Sequence, residues 1–245
     1  MMPTHTGQLP VASSPPLADA ELVARAGLGD ASAFEAIMRR HNRLLFRSAR
    51  GVVSDDAEAQ DVVQETYLRA FASMHTFRAE AALGTWLARI AINVALDMQR
   101  RRGRSVQLDD TQDLGTEPAM EHMMAFNAPA HDAPDTQAER SQMRALLQRA
   151  IDSLPVVYRS VFILRAVEEM SVGETADCLQ VSDAVVKTRY LRARSMLRDA
   201  LGTQVEVHTQ DVYAFAGARC DAVVAHVLAE PRATFFFLYP PNPRR

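Results

Sequence analysis

DDAEAQDVVQETYLRAFASMHTFRAEAALGTWLARIAINVALDMQRRRGR, residues Asp55 to Arg104, carries the pattern that decides the fold class. Ser54-Asp55-Asp56 opens a helix with acids at its positive end. Val62, Val63, Thr66, Tyr67, Ala70, Phe71 and Met74 supply its apolar side, while Asp61, Gln64, Glu65 and Leu68 lie on another. Asp61 and Glu65 stand four residues apart, and like charges at that spacing cost roughly a few tenths of a kcal/mol in an isolated helix. Two readings stay open here: a carboxylate patch presented to arginines elsewhere, or acids that complement the helix dipole. Ser73 to Leu83 reads as a loop holding His75, Phe77, Arg78 and Glu80. Gly84-Thr85 starts a second helix, Trp86 to Gln99, with Trp86, Leu87, Ile90, Ala91 and Val94 inward. Arg89, Asn93, Asp97 and Arg100 recur on its other side and run into Arg101, Arg102 and Arg104. Arginine at this density near a helix end suits phosphate contact. Acid at one end and base at the other point to two partners, a basic protein surface and nucleic acid.

Outward from this stretch, residues 1–16 are rich in Pro, Ser and Thr and are expected to be disordered. A helix follows from Asp19, with Leu22, Val23 and Ala26 on one face, and Gly27 and Gly29 break it. Asp30 or Ser32 restarts a helix with Phe34, Ile37, Met38, His41, Leu44 and Leu45 inward and Arg39, Arg40, Arg43 and Arg47 outward. Beyond Arg104, residues 105–138 hold acids and prolines and no Lys or Arg, as a linker with little structure of its own. Met120, Met123, Met124 and Phe126 could form a short apolar turn within it.

A second helical unit begins near Ala138, with Met143, Leu146, Leu147, Ala150, Ile151 and Leu154 as its stripe. Pro155 ends that helix or opens the next, and Val157, Val161, Phe162, Leu164 and Val167 continue the core. Ser171 and Glu174 have capping-box spacing, Ala176 and Leu179 point inward, Gln180-Val181 turns, and Ser182 caps a second helix. Val185, Thr188 or Tyr190, Leu191 and Leu197 are expected to hold that helix to the core, leaving Lys187, Arg189, Arg192, Arg194 and Arg198 outside. This is a helix-turn-helix, a motif whose second helix enters the major groove.

The totals exclude several classes. The 245 residues suffice for one large or two small domains, and the net charge of −3 is uninformative beside its distribution. Cys178 and Cys220, the only cysteines, match no metal or redox spacing. There is no phosphate loop, no metal cluster and no paired catalytic carboxylate motif, so no catalytic residue, metal or cofactor is expected. No run approaches the ~18 apolar residues of a membrane span, and no signal pattern opens the chain. A cytoplasmic protein without membrane insertion is expected.

Asp61-Val-Val-Gln64-Glu65 with Phe71, Phe77-Arg78, Thr85-Trp86-Leu87, Ile90-Ala91 and Asn93 resembles region 2 of the bacterial sigma-70 family, specifically its extracytoplasmic function (ECF) subfamily. Leu154-Pro155, Tyr158-Arg159, Phe162 and Ser171 to Leu197 resemble region 4. The resemblance covers Leu17 to Leu201, with a short linker and no region 3. It implies an all-α chain of two small helical domains, a region 2 bundle at 17–104 and a region 4 helix-turn-helix at 139–201. A disordered segment 1–16, an acidic linker 105–138 and an extension 202–245 complete the division.

The same resemblance implies an ECF sigma factor, not an enzyme, that binds core RNA polymerase, recognises −35 and −10 promoter elements and promotes strand opening. Asp61, Gln64, Glu65 and Leu68 match the patch that docks on the β′ coiled coil. His75, Phe77, Arg78 and Glu80 match the loop that captures an unstacked −10 base, and Arg89, Asn93, Arg100 and Arg101 match residues that hold the opened strand. Ser182, Asp183, Val185, Lys187, Thr188, Arg189 and Arg192 match the −35 reading helix. Tyr158 to Leu164 resembles the surface that meets the β flap, and the linker resembles the segment that threads the RNA channel. Sequestration by an anti-sigma factor is implied as well. The alternatives are a sigma mimic that titrates an anti-sigma factor and a stand-alone helix-turn-helix regulator. Ala184 stands where the family often has Gly, and Gly173 and Thr175 replace stronger helix formers, which bears on the −35 preference. In the extension, Val212 to Leu228 has helical spacing, Phe235 to Pro241 is apolar, and Cys220 is expected to be buried.

Overall fold

A computed structural model describes residues 17–78, 81–103, 136–201 and 213–231. Its described residues form helices without a strand: α1 Asp19–Gly27, α2 Ala31–Arg50, α3 Asp56–Ser73, α4 Leu83–Arg101, α5 Thr136–Asp152, α6 Val156–Phe162, α7 Val172–Leu179, α8 Asp183–Leu201 and α9 Ala218–Ala229. A 3-10 turn at Met74–Thr76 follows α3, and a π-helical turn at Ile163–Val167 follows α6. Of the expected segments, all of 1–16, residues 105–135 of the linker and residues 202–212 and 232–245 of the extension lie outside the described residues, as do Glu80 and Arg104.

Local chemistry sets the helix ends. Asp30 caps α2 by accepting from the backbone N–H of Ser32 and Ala33, and Asp55 caps α3 through Ala57 and Glu58. Gly29 supplies the positive φ of the α1–α2 turn. Ser171 and Glu174 form the full capping box at α7, and left-handed Gln180 closes that helix. α4 begins earlier than the spacing suggested, at Leu83, because Leu83 is buried and joins the core instead of ending a loop.

α1 to α4 form one bundle around Phe34, Ile37, Met38, Leu45, Val62, Val63, Tyr67, Leu87 and Ile92, all at or near complete burial. Burying each such large apolar side chain contributes about 1.5–3 kcal/mol. Tyr67 is accommodated there because its hydroxyl donates to the Met38 carbonyl at 3.1 Å. α5 to α8 form a second unit around Leu147, Ile151, Leu154, Val161, Phe162, Leu179, Val186, Ala193 and Leu197.

The two units touch. Every residue from Leu45 to Val53 is buried, so the end of α2 has no solvent face at all. Gly51 sits where a Cβ would stand 3.2 Å from the Ser160 Cα of α6, a separation that excludes any larger residue without movement. Arg159 of α6, 2% exposed, donates to the carbonyls of Val52 at 2.9 Å, Asp152 at 2.9 Å and Gly51 at 3.2 Å. Arg47 pairs with Glu168 at 2.9 Å and Arg50 with Asp152 at 3.0 Å. At the start of α4, the Thr85 hydroxyl donates to Glu174 at 3.2 Å and the Thr85 carbonyl accepts from the Cys178 thiol at 3.4 Å.

Three sequence expectations are corrected. Arg47 was placed on a solvated face, yet it is buried because the second unit covers that end of α2. Met143 and Leu146 were placed in the core but are exposed, since only the later part of α5 is buried against the unit. The α8 core face is Val186, Arg189, Ala193 and Leu197, not Val185, Thr188 and Leu191; Leu191 is exposed.

Candidate polymerase and promoter interfaces

On α3, Asp61 is exposed, and Gln64, Glu65 and Leu68 are half-buried. They lie together because positions 61, 64, 65 and 68 span one side of a 3.6-residue helix. Asp61 carries an uncompensated carboxylate to the surface, whereas Glu65 accepts from Arg69 at 2.9 Å. Arg69 reaches on to Asp97 of α4 at 3.3 Å, and Asp97 accepts from Arg100 at 2.8 Å. Being partly exposed, these bonds are each worth about 0–1 kcal/mol and are readily exchanged for a partner.

Between α3 and α4, His75 and Arg78 are exposed while Phe77 is half-buried. The Phe77 ring packs on Trp86 with centroids 5.5 Å apart and planes tilted by 58°. Trp86 is itself in the core, so it anchors the loop and leaves the outer ring face to Phe77. Further along α4, Arg89, Asn93, Arg100 and Arg101 are exposed on the side away from the bundle. Arg102 pairs with Glu58 at the other end of α3.

On α8, Ser182, Asp183 and Lys187 are exposed, Val185, Thr188 and Arg192 are half-buried, and Arg189 is only 1% exposed. Arg189 therefore does not stand on the outward face with Lys187; it sits on the core flank, three residues on from Val186. Arg192 is turned toward α6, donating to the Tyr158 hydroxyl at 3.3 Å. The stretch expected to meet the β flap is also mostly inward: Val161 to Leu164 are buried and Tyr158 is half-buried. Among the described residues no group of His, Cys, Asp and Glu could hold a metal ion.

Known proteins share this layout. Residues 37–105 match the family description "Sigma-70 region 2" and residues 144–197 match "Sigma-70, region 4". The ECF RNA polymerase sigma factor SigM of Mycobacterium tuberculosis is 34% identical over 184 residues, which are 75% of this chain and 85% of the relative. The chain belongs to the ECF sigma factors of the sigma-70 family. The RNA polymerase sigma-H factor of Pseudomonas aeruginosa is 30% identical over 75% of this chain and 93% of its own length. Among solved structures, CnrH in complex with the cytosolic domain of CnrY aligns with a TM-score of 0.51 at 24% identity. That alignment covers 76% of this chain and 99% of CnrH, and shares the fold.

As an ECF sigma factor the protein serves RNA polymerase in promoter recognition at transcription initiation, and it is not an enzyme. No helix among its described residues is long and apolar enough to cross a membrane. Sequence reasoning missed the arginines that join the two units of this sigma factor, Arg50 and Arg159, and read Arg47 as solvated.

Proposed function

We propose that the α3 face of Asp61, Gln64, Glu65 and Leu68 docks on the β′ coiled coil of core RNA polymerase. The loop of His75, Phe77 and Arg78 then captures a −10 base, Phe77 offering its ring for stacking. Arg89, Asn93, Arg100 and Arg101 neutralise the opened strand's phosphates. The outward face of α8, centred on Lys187 with Ser182, Asp183 and Thr188, reads the −35 duplex. The division follows the sequence: region 2 spans residues 17–104 and region 4 residues 139–201, with the acidic segment between them serving as linker.

The observation that carries this reading is a hairpin of two helices with opposite chemistry. Exposed carboxylate stands on α3, exposed guanidiniums stand on α4, and an aromatic loop joins them. Charge repulsion keeps DNA phosphates from the first surface and cationic protein from the second. The protein acts in the cytoplasm, where the polymerase is. CnrH forms a complex with the cytosolic domain of CnrY, and control by a bound anti-sigma factor is the regulation expected for this chain. The docking assignment is tested by Asp61→Arg with Glu65→Arg, measured in a core-polymerase pull-down alongside circular dichroism. Loss of core binding with an unchanged helical spectrum is expected. Wild-type retention on core would refute it.

A further inference from the structure

The C-terminal extension lies beyond both family matches, yet it is built into the fold. Tyr213, Phe215, Val223, Val224 and Val227 are each 3% exposed or less. They place α9 against α2 and α3, along the groove between them. On the α2 side, Phe215 stacks on Phe46 with centroids 4.4 Å apart and planes 17° from parallel. Asn42 donates to the Cys220 sulfur at 2.9 Å, and Arg39 pairs with Asp221 at 2.7 Å. On the α3 side, Arg219 pairs with Asp56 at 3.0 Å, and with the Gln60 amide turned so that its oxygen faces the guanidinium, Arg219 donates to it at 3.0 and 3.1 Å. The Arg219 guanidinium also lies over Phe46 at 4.7 Å.

The same segment reaches the other unit. The Tyr213 hydroxyl donates to Asp152, the last residue of α5, at 2.6 Å. Arg50 lies over the Tyr213 ring at 4.5 Å, grips both oxygens of Asp152 at 3.0 Å and pairs with Asp56 at 3.1 Å. Tyr213, Asp152, Arg50, Asp56 and Arg219 thus form one chain of contacts that links α5, α2, α3 and the extension. Its hinge residue Arg50 is nearly fully buried, so the chain is not a loose surface network.

Its position relative to the docking face is set by helix geometry. Asp56 and Gln60 lie on one row of α3, and Gln64 is the next member of that row. Asp61 adjoins Gln60. Arg219 therefore stops where the proposed docking face begins, and α9 stands as a wall beside it.

We propose that Tyr213–Ala229 is a built-in clasp: it occupies the α2–α3 groove, holds region 4 against region 2, and competes with core polymerase for the flank of the docking face. The inference rests on the docking assignment for Asp61, Gln64 and Glu65. Polymerase binding then requires release of the clasp, and release frees region 4 to leave region 2. An occupant from the same chain needs no second protein to be at hand, because its tether keeps it at high effective concentration.

The test uses full-length protein carrying Arg219→Glu, which sets a carboxylate against Asp56, and separately Tyr213→Phe, which removes only the hydroxyl bonded to Asp152. Circular dichroism establishes that both variants fold. Small-angle X-ray scattering of the free proteins reads compactness, and equilibrium binding to purified core reads competition. Arg219→Glu is expected to enlarge the radius of gyration and tighten core binding about tenfold, within the range usual for coupled sites. Tyr213→Phe is expected to move both readouts the same way by less. Unchanged or weakened core binding by Arg219→Glu overturns the proposal, and weakening would assign α9 to the polymerase contact instead. The docking assignment fails separately, if Asp61→Arg with Glu65→Arg leaves core affinity at the wild-type value.

Discussion

Replacing Arg159 by Met should separate the two units. The Arg159 guanidinium is buried and donates to the Gly51, Val52 and Asp152 carbonyls, with a longer contact of 3.4 Å to the Ser54 hydroxyl. Hydrogen bonds from a charged donor are worth about 1.5–3 kcal/mol each, so the two that cross the junction, to Gly51 and Val52, sum to roughly 3–6 kcal/mol, while the one to Asp152 lies within the second unit. Against this stands the desolvation of the guanidinium, which is large enough to hold its pKa below the ordinary arginine value and costs several kcal/mol. Met retains the stem's packing, but three buried carbonyls lose their donor. A net loss of about 3 kcal/mol follows, roughly a hundredfold in the equilibrium between docked and separated units. Lys is no substitute, because a single ammonium cannot reproduce the planar fork that reaches two units at once. The assay is urea unfolding with hydrogen exchange at residues 51–54. At a slope of about 2 kcal/mol/M the midpoint falls by about 1.5 M, and those amides exchange faster. A midpoint within about 0.2 M of wild type, with unchanged exchange, would show that these bonds do not hold the interface.

Lys187→Ala should reduce −35 discrimination by roughly 1–3 kcal/mol in transcription from mutated promoters. Arg189→Met should leave discrimination intact and lower thermal stability, because Arg189 lies in the core flank of α8; the reverse pattern would restore Arg189 to the reading face. Cys178 is fully buried and its thiol is pushed up to about 12 by that burial. A thiol reagent at neutral pH should therefore modify Cys220 in the folded protein and Cys178 only after unfolding, read by mass spectrometry. Glu174 is held below its ordinary value, first by its hydrogen bonding with the Ser171 side chain. Its unfolded form takes up protons first, so its contribution is complete above the ordinary glutamate range and fades as pH falls through the lower folded value. Glu174→Gln should flatten the acid limb of stability against pH, and an unaltered limb would remove Glu174 from that role.

The helices were legible because apolar residues recur at helical spacing and because caps are short-range chemistry. Asp30, Asp55, Ser171 and Glu174 needed only their neighbours to be read. The rotation of α8 was less legible for a definable reason. Val185 and Val186 are adjacent, as are two possible apolar rows, so a shift of one residue turns the face by about 100° without breaking the period. The structure chooses Val186, Ala193 and Leu197, and Arg189 is carried inward with them. The arginines at the junction were illegible for another reason. Hydropathy assigns Arg47, Arg50 and Arg159 to water, whereas their acceptors are Glu168, Asp152 and backbone carbonyls more than a hundred positions away along the chain. The docking and loop residues were found through resemblance, and only the structure shows which of them are exposed.

The compact arrangement and the promoter make opposite demands on this chain. A −35 and a −10 element lie about 25 base pairs apart, or roughly 85 Å of B-form duplex at 3.4 Å per step. Residues 102–135 separate α4 from α5, and covalent geometry lets a segment of that length span at most on the order of 120 Å. That length suffices to bridge both elements once the junction contacts of Arg159 and Arg50 are released. The start of α4, where Thr85 meets Glu174 and Cys178, would be uncovered in the same movement. That end follows directly on the Phe77 loop. On the proposed assignment, freeing the start of α4 and delivering the −35 reader are one conformational event, and the free energy of promoter and polymerase contacts must exceed the cost of opening a junction sealed by buried arginines.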